Sequence, residues 1–173
     1  MKKLIKKFSL LIFLITMALN FTGCGNNLTT STYTNEKNNV SISLSYPEKS
    51  DCDFSTNEND FRTSAENAIW IFDDFKIALC VVDSNFDGDF EKVKTESLSK
   101  EDGKEVNFNK INGVSYYYSP YNRYNVKLPI NEKCYLELHI YPNDPKYDKE
   151  LASKAFASRD VQEVLNTIKI SEN

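Results

Sequence analysis

Apolar and polar residues alternate strictly along three stretches of the chain, and each stretch is predicted to be a half-buried β-strand. Val40 to Tyr46 puts every second side chain on one face and serines on the other, until Pro47 ends the run. Tyr124 to Ile130 and Cys134 to Ile140 repeat this period of two. Less regular apolar runs predict further strands at 68–72, 75–82, 106–111 and 114–119, and about Ile168 and Ile170.

Turn and loop residues predict how these strands are connected. Asn112 and Gly113 separate two of them, and Asn-Gly is the strongest short signal for a hairpin turn. Asp73 and Asp74 mark a second turn between two apolar runs. The polar segment 50–60 is predicted to be a loop. Residues 24–39, rich in Asn, Thr and Ser, are predicted to be a flexible tether.

Helix-start signals predict up to three short helices between and after the strands. Each signal combines a side chain that can accept hydrogen bonds from a helix N-terminus with residues suited to the first turn. The signals are Asp89 ahead of residues 90–100, Asp144-Pro145 ahead of a segment that carries Leu151, and Asp160 with Glu163.

Together these elements predict the α+β class. Consecutive strands joined by short turns favour antiparallel pairing, and the helices come late enough to pack on the sheet as separate elements. We expect one domain over residues 40–173. It should contain an antiparallel sheet of about six to eight strands with two or three flanking helices.

The amino terminus has the pattern of an export signal. Lysines at positions 2, 3, 6 and 7 precede an apolar stretch of 12 residues from Phe8 to Leu19. A membrane-spanning helix needs roughly 20 such residues, so this stretch is short for a permanent span. Phe21-Thr22-Gly23-Cys24 follows directly. This combination resembles the signal of bacterial lipoproteins, in which a small residue precedes a lipidated cysteine.

The lipoprotein resemblance implies where the protein is located. Residues 1–23 would be a signal peptide, and Cys24 would carry the acyl chains, palmitate among them, as the mature amino terminus. Two or more chains on one cysteine anchor a protein stably, whereas a single chain binds only marginally. The implied location is the extracytoplasmic face of the cell membrane. The alternative is a soluble secreted protein cut near Gly23.

The charge of the chain excludes some classes of partner. Loss of the four leader lysines would move the net charge from −4 to −8. Such an acidic protein lacks the basic face that nucleic acid requires. Anionic headgroups would repel it, so membrane attachment has to come from the lipid anchor. Ten tyrosines, eleven phenylalanines and one tryptophan are ample for a packed core.

Three cysteines remain after Cys24, and an odd number cannot pair completely within one chain. Cys80 and Cys134 lie in predicted strands and are typical of buried free thiols, whereas Cys52 lies between two aspartates. A disulfide between two of the three is an open alternative, and the sequence does not identify the pair. No Cys-x-x-Cys spacing indicates a metal site.

Four segments of the chain resemble the fold of the photosystem protein PsbP and the Ran-binding Mog-type proteins. They are an early SISLSYP strand, a KINGVSYYY strand pair, a long CYLELHIYP strand and a closing DVQEVLNTIKI segment, within residues 40–171. The resemblance implies a binding or assembly module and carries over no catalytic residue. Fold analogy alone does not supply a function.

An acidic loop at 83–89 is a candidate calcium site. Its Asp-x-Asn-x-Asp-Gly pattern matches the first six positions of an EF-hand loop. Lys94, however, stands where a bidentate glutamate is expected, and the preceding segment is predicted to be a strand. We therefore favour an acidic turn in which Asp89 caps the next helix. The candidate ligands are Asp83, Asn85, Asp87 and Asp89.

Tyrosines concentrate between residues 116 and 124 and form a candidate partner-binding surface. Exposed tyrosines offer contact area to a sugar ring or a protein at low entropic cost. Alternation places Tyr116 and Tyr118 on one face of their strand and Tyr117 on the other, so at least one should lie in the core. Ordinary strand-forming aromatics are the alternative interpretation. The candidate binding residues are Tyr116, Tyr118, Tyr121 and Tyr124.

His139 is the single histidine and the strongest candidate for acid–base chemistry. Alternation places it beside Glu137 and Tyr141, on the face opposite Cys134, so a Cys–His pair is excluded within a regular strand. A lone histidine beside a carboxylate is more often structural. No nucleophile elbow, phosphate-binding loop or dinucleotide fingerprint occurs in the sequence.

The sequence therefore favours a membrane-anchored, non-enzymatic lipoprotein without a cofactor. Its expected role is to bind another envelope protein or a cell-wall glycan, with Cys24 for anchoring and the tyrosine-rich region for contact. A hydrolase that uses His139 and a calcium-stabilised module that uses the loop at 83–89 are the alternatives.

Overall fold

The computed structural model describes residues 27–56, 66–84, 89–144 and 146–172. Cys24 and residues 1–23, the predicted signal peptide, lie outside the described residues. Ten strands and three helices are formed within them. The strands are β1 (Leu28–Asn35), β2 (Val40–Pro47), β3 (Cys52–Thr56), β4 (Ala68–Phe72), β5 (Phe75–Asp83), β6 (Lys104–Phe108), β7 (Ile111–Tyr118), β8 (Arg123–Pro129), β9 (Cys134–Pro142) and β10 (Lys169–Glu172). The helices are α1 (Phe90–Leu98), α2 (Lys149–Ala157) and α3 (Arg159–Leu165).

The strands form two antiparallel sheets. The larger has seven strands in the order β3-β4-β5-β9-β8-β7-β6, and the smaller has three in the order β1-β2-β10. The α+β class, the antiparallel pairing and the prediction of two or three helices are confirmed. The seven strands of the larger sheet agree with the predicted six to eight, whereas the second, three-stranded sheet was not predicted.

The main core lies on one face of the seven-stranded sheet, which we call the inner face. Leu136, Leu138 and Ile140 of β9 are fully buried there. They pack in one cluster with Ile42 of β2 and Val161 of α3. Helix α2 contacts β8 and β9, and α3 contacts β2. The small sheet and these two helices therefore close the inner face.

Among the described residues, a helix covers the opposite face of the seven-stranded sheet, the outer face, at one end only. Val93 of α1 packs there against Cys80, Val82 and Tyr135. Asp89 begins this helix as predicted, because its carboxylate accepts a hydrogen bond from the Lys92 amide at 2.9 Å. None of the helices in the described ranges is long and apolar enough to cross a bilayer.

The prediction of a flexible tether over 24–39 is wrong for residues 28–35, which form β1. This strand pairs with β2 along its whole length. It lacks an apolar period because hydroxyl pairs, rather than apolar side chains, join its outward face to β2. The pairs are Thr30 with Ser45 at 2.8 Å, Thr32 with Ser43 at 2.8 Å and Thr34 with Ser41 at 3.1 Å.

The predicted loop at 50–60 is also corrected, because Cys52–Thr56 forms the edge strand β3. Phe54 lies between polar residues of this strand and packs on Trp70 of β4, with ring centroids 4.9 Å apart. One half-buried aromatic at the centre of the strand contacts the core, while its neighbours face outward. The pattern was too short and too polar to be recognised.

The hairpin between β6 and β7 is confirmed, but its turn is not at Asn112-Gly113. Asn109 and Lys110 form the turn with φ values of 49° and 68°, as a type I′ turn requires. Gly113 lies within β7, where an added Cβ would come within 2.3 Å of the Lys127 carbonyl oxygen. This glycine therefore permits close approach to β8 and makes no turn.

Two helix starts differ from the prediction. Helix α2 begins after Asp148, whose carboxylate accepts from the Glu150 amide at 2.8 Å, and not at Asp144. Helix α3 begins after Ser158, whose hydroxyl accepts from the Val161 amide at 3.3 Å, and not at Asp160. Both predictions named an aspartate within four residues of the true cap.

Candidate functional site

A cleft of about 820 Å³ opens on the outer face beside the end that α1 covers. We call it the outer cleft. Its lining comes from β3, β4, β7, β8, β9, the short turn after β7 and residue Glu66. The volume is in the range typical of small-molecule sites. The outer cleft is therefore a candidate ligand site among the described residues.

Strand alternation builds the floor of the outer cleft. Because Val126 of β8 and Leu138 of β9 face the core, their chain neighbours point to the opposite side. Antiparallel register then brings Asn125 opposite His139, and Lys127 opposite Glu137. The result is a row of polar side chains across adjacent strands: Arg123, Asn125, Lys127, Glu137, His139 and Tyr141.

Arg123 lies at the centre of this network. Its guanidinium donates from Nε to Asn125 Oδ1 at 2.7 Å and from Nη1 to the Tyr141 hydroxyl. Nη2 lies 3.1 Å from His139 Nε2, and Nη1 lies 4.0 Å from a Glu66 carboxylate oxygen. Only 11% of the side chain is exposed. A charge this deeply buried needs such partners, and they hold the guanidinium in one orientation.

His139 bridges two carboxylates. Its Nδ1 lies 3.3 Å from Glu66 Oε1, and its Nε2 lies 3.2 Å from Glu137 Oε1. Nε2 also lies 3.1 Å from Arg123 Nη2, so a donor and a carboxylate acceptor both face this nitrogen. The imidazole is therefore held between Glu66, Glu137 and Arg123.

Both carboxyl groups have pKa values below their ordinary range. The hydrogen bond from His139 lowers the pKa of Glu66 most, although partial burial opposes it. Burial acts to raise the pKa of Glu137, but His139, Lys127 and Arg123 together outweigh this effect and leave it lowered. Both groups are therefore carboxylates at neutral pH.

Lys127 occupies the end of the floor nearest α1. Its Nζ lies 3.7 Å from Glu137 Oε2, beyond hydrogen-bond distance. It also lies 5.7 Å from the Tyr116 ring centroid and 5.2 Å from that of Tyr135. The Asn125 amide donates to Glu137 Oε1 at 2.6 Å, so that oxygen is occupied. Among the described residues, Oε2 has only the longer contact with Lys127.

Three of the four candidate binding tyrosines line the outer cleft. Tyr118 and Tyr121 stack with their centroids 5.7 Å apart and 27° between their planes. The Arg123 guanidinium lies 5.3 Å and 5.0 Å from these two rings. Tyr121 is 57% exposed, whereas Tyr116 is buried in the floor. The predicted opposition of Tyr116 and Tyr118 to Tyr117 is confirmed.

Tyr124 lies on the inner face, away from the other candidate tyrosines. Its ring stacks on Phe156 of α2, 4.6 Å between centroids, and its hydroxyl donates to Asp102 at 2.8 Å. Since Tyr124 and Val126 share one face of β8, its place in the core follows from the same alternation. Its expected membership of a binding surface is therefore corrected.

The turn that carries Tyr121 is held in place by an asparagine. Residues Ser119–Tyr121 form one turn of 3-10 helix that ends at Asn122, with φ of 48°. The Asn122 side chain accepts from the Tyr117 hydroxyl at 3.0 Å and donates to the Lys146 carbonyl at 2.9 Å. These bonds fix the rim of the cleft before any ligand arrives.

The candidate calcium loop is described only at its two ends. Asp83 lies 3.5 Å from Lys37 Nζ, and Asp89 caps α1. Asn85 and Asp87 lie outside the described residues. Within the described ranges, no three potential ligands come together around a metal position. The favoured interpretation of Asp89 as a helix cap is confirmed.

Cys52, Cys80 and Cys134 are free thiols in this structure. Cys80 lies under the outer face, where burial and nearby Glu137 raise the pKa of its thiol to about 12. Burial also raises the pKa of the other two thiols. Each therefore remains a protonated thiol at neutral pH.

Arg123, Lys127 and Glu66 were not recognised as site residues from the sequence. Lys127 could have been found, because it alternates with core residues on the strand predicted from Tyr124 to Ile130 and faces the row that holds His139. Arg123 directly precedes that predicted strand and lies on the same face. Glu66 comes from the segment before β4, 73 residues from His139 along the chain. Only tertiary folding brings it to the site.

No protein-family model matches the chain, and no curated protein is significantly similar to it.

Proposed function

We propose that this protein is a lipid-anchored binding module of the cell envelope, and that it holds its ligand in the outer cleft. The observation that carries this proposal is the pre-formed polar floor beneath an exposed aromatic rim. Arg123 is held by four polar partners, and Tyr121 stands above it, largely exposed. A concave site with a few fixed polar groups is the usual form of a ligand pocket.

The protonation states of the cleft favour binding over catalysis. A two-carboxylate hydrolase needs one carboxyl with a raised pKa to act as general acid. Here the pKa values of Glu66 and Glu137 are both lowered. Burial raises the pKa of Tyr116 to about 12 and that of Tyr141 further. These shifts move all four groups away from proton transfer at neutral pH, which supports a non-enzymatic role.

A hydrolase that uses His139 is the second candidate. Contact with two carboxylates is the arrangement that could orient an imidazole as a base. Against this, the histidine is 4% exposed and its Nε2 faces the Arg123 guanidinium. A substrate would have to displace Arg123 to reach it. The binding role is therefore the better supported of the two.

The proposed anchor is Cys24, which would hold the domain on the extracytoplasmic face of the membrane. The lipobox-like Thr22-Gly23-Cys24 supports this location. Replacing Cys24 by alanine should move the protein from the membrane fraction to the soluble extracellular fraction, while Cys52→Ala should not. Retention of the Cys24 variant in the membrane would contradict the anchor.

A relation to the PsbP-type and Mog-type fold is a further part of the proposal. The seven-stranded antiparallel sheet with helices on both faces is compatible with that likeness. Superposing an experimental structure of this protein on members of that group would test it. A different strand order in the shared sheet would contradict it.

Site-specific photo-crosslinking in intact cells tests the binding role without assuming the ligand. The photoreactive residue benzoylphenylalanine would replace Tyr121 at the cleft rim or, as a matched control, Tyr147, which is 78% exposed and lies before α2. We expect adducts from position 121 that position 147 does not give. Identical patterns from both positions, or no adduct from position 121, would contradict a ligand site in the outer cleft.

A further inference from the structure

We propose that the ligand of the outer cleft is an uncharged saccharide, an inference that rests on the binding role proposed above. The ring would stack against Tyr121 at the rim, and neighbouring hydroxyls would bind between Lys127 and Glu137 on the floor. Three properties of the cleft point to this class: its charge balance, its adjacent donor and acceptor, and its aromatic wall.

The charges of the outer cleft balance. Two cations, Arg123 and Lys127, face two carboxylates, Glu66 and Glu137, within one connected network. A phosphate or carboxylate ligand would meet two carboxylates, and a cationic ligand would meet two cations. A ligand without net charge leaves this balance intact.

Lys127 and Glu137 present a donor and an acceptor side by side. The 3.7 Å gap between Nζ and Oε2 is too long for a hydrogen bond, so both groups retain capacity toward the cleft. One hydroxyl can donate to Oε2 while the next accepts from Nζ. Neighbouring hydroxyls on a sugar ring have this combination, and hydrogen bonds to charged groups are among the stronger ones.

The aromatic rim supplies the apolar contact that a sugar ring needs. Tyr121 is 57% exposed and stacks on Tyr118, so part of its ring is accessible and its orientation is restricted. A pyranose has a face of C–H groups that packs on such a ring. Tyrosine gives this contact at small entropic cost because only two side-chain torsions are fixed. The cleft volume leaves room for a short oligosaccharide.

Titration calorimetry of the folded chain without its signal peptide would test the inference. The neutral probes are chitotriose and cellotriose, and the charged comparisons are glucose 6-phosphate and the zwitterion trialanine. We expect a neutral trisaccharide to bind. Its affinity should change little between about 50 and 500 mM salt, since no net charge is neutralised.

Two cleft variants and one control locate the binding site. Tyr121→Ala should weaken trisaccharide binding about tenfold, because the stacking surface is removed. Lys127→Met should weaken it by a similar factor through loss of a charged donor, while an unbranched side chain of similar length is kept. Tyr147→Ala should leave the affinity unchanged. Because Tyr121 and Tyr147 are both exposed, these two variants can be compared without a folding defect.

The outcomes separate this inference from the proposed function. Preferential binding of glucose 6-phosphate or trialanine would overturn the saccharide inference and leave the binding role in place. The same holds if no saccharide binds while the photoreactive residue at position 121 still captures adducts. Failure of every probe together with no adduct at position 121 would overturn both.

Discussion

Leu138 and His139 are neighbours on β9, yet they lie on opposite faces of the seven-stranded sheet in opposite environments. Leu138 is surrounded by apolar side chains on the inner face, where packing has no preferred direction. His139 lies in a network on the outer face in which each contact depends on direction and charge. On β9, the core-facing positions should therefore accept other apolar side chains of similar shape. The positions that face the outer cleft should accept few substitutions.

This contrast indicates how the two faces divide their roles. The inner face is closed by α2, α3 and the small sheet, and it supplies the hydrophobic stabilisation of the fold. The outer face keeps its charged groups in partial contact with solvent beside α1. Such buried ion networks add little net stability but fix geometry. We expect mutations on the inner face to act mainly on unfolding, and mutations at the rim of the outer face mainly on binding.

The largest effect is expected from truncation in the core. Leu138→Ala removes a fully buried side chain from the inner face and should lower the free energy of unfolding by about 3 kcal/mol. Urea denaturation at neutral pH measures this change. Tyr121→Ala, at the exposed rim of the outer face, should change it by less than about 0.5 kcal/mol. Equal losses of unfolding free energy in the two variants would contradict the proposed division of roles between the two faces.

A second effect is expected where β7 and β8 approach closely. Gly113→Ala would place a Cβ 2.3 Å from the Lys127 carbonyl oxygen and 2.4 Å from Leu128 Cδ2. The backbone cannot yield easily, so we expect a loss of about 2 kcal/mol. Lys110→Gly should instead stabilise the protein by about 0.5 to 1 kcal/mol, because φ at this turn residue is 68°. If urea denaturation showed that Gly113→Ala stabilises the protein and Lys110→Gly destabilises it, the turn would instead lie at Asn112-Gly113.

A third effect is expected on the stability of the protein at low pH. Because the folded-state pKa of Glu137 lies below the ordinary 4.5, its stabilising contribution is full above about 4.5 and is lost as pH falls through the lowered value. Glu137→Gln should therefore cost about 1.5 kcal/mol at neutral pH and show a shallower acid-induced loss. Thermal melts between about pH 7 and pH 3 measure both. An unchanged acid slope in the variant would contradict the ionised state assigned to Glu137.

The smallest effects on the free energy of unfolding are expected at two helix caps. One cap belongs to a helix on the outer face and the other to a helix on the inner face. Asp89→Ala removes the cap of α1 on the outer face, and Ser158→Ala removes the cap of α3 on the inner side. Each should cost about 1 kcal/mol. Asp144→Ala, at the position predicted from sequence but not used as a cap, should cost less than about 0.5 kcal/mol. Urea denaturation of all three would show whether the caps are assigned correctly.

Side-chain alternation predicted most of the strands and the faces on which their residues lie, because every second residue of a strand shares one face. It correctly placed Tyr116 opposite Tyr117 and His139 beside Glu137. It failed for β1, where hydroxyl pairs take the place of apolar contacts. Alternation could not predict the place of Glu66 in the outer cleft, because a local pattern carries no information on which distant segment packs beside a strand. The tyrosine group was misleading because closeness in sequence combined residues of both faces.

The pairing of β1 with β2 also changes the distance between the folded body and its proposed anchor. A tether over 24–39 would have held the domain well away from the bilayer. With the first strand beginning at Leu28, only residues 25–27 separate Cys24 from the sheet, a reach of about 10 Å at full extension. A protein acylated at that cysteine would rest directly on the lipid headgroups, and its range of orientations relative to the membrane would be narrow.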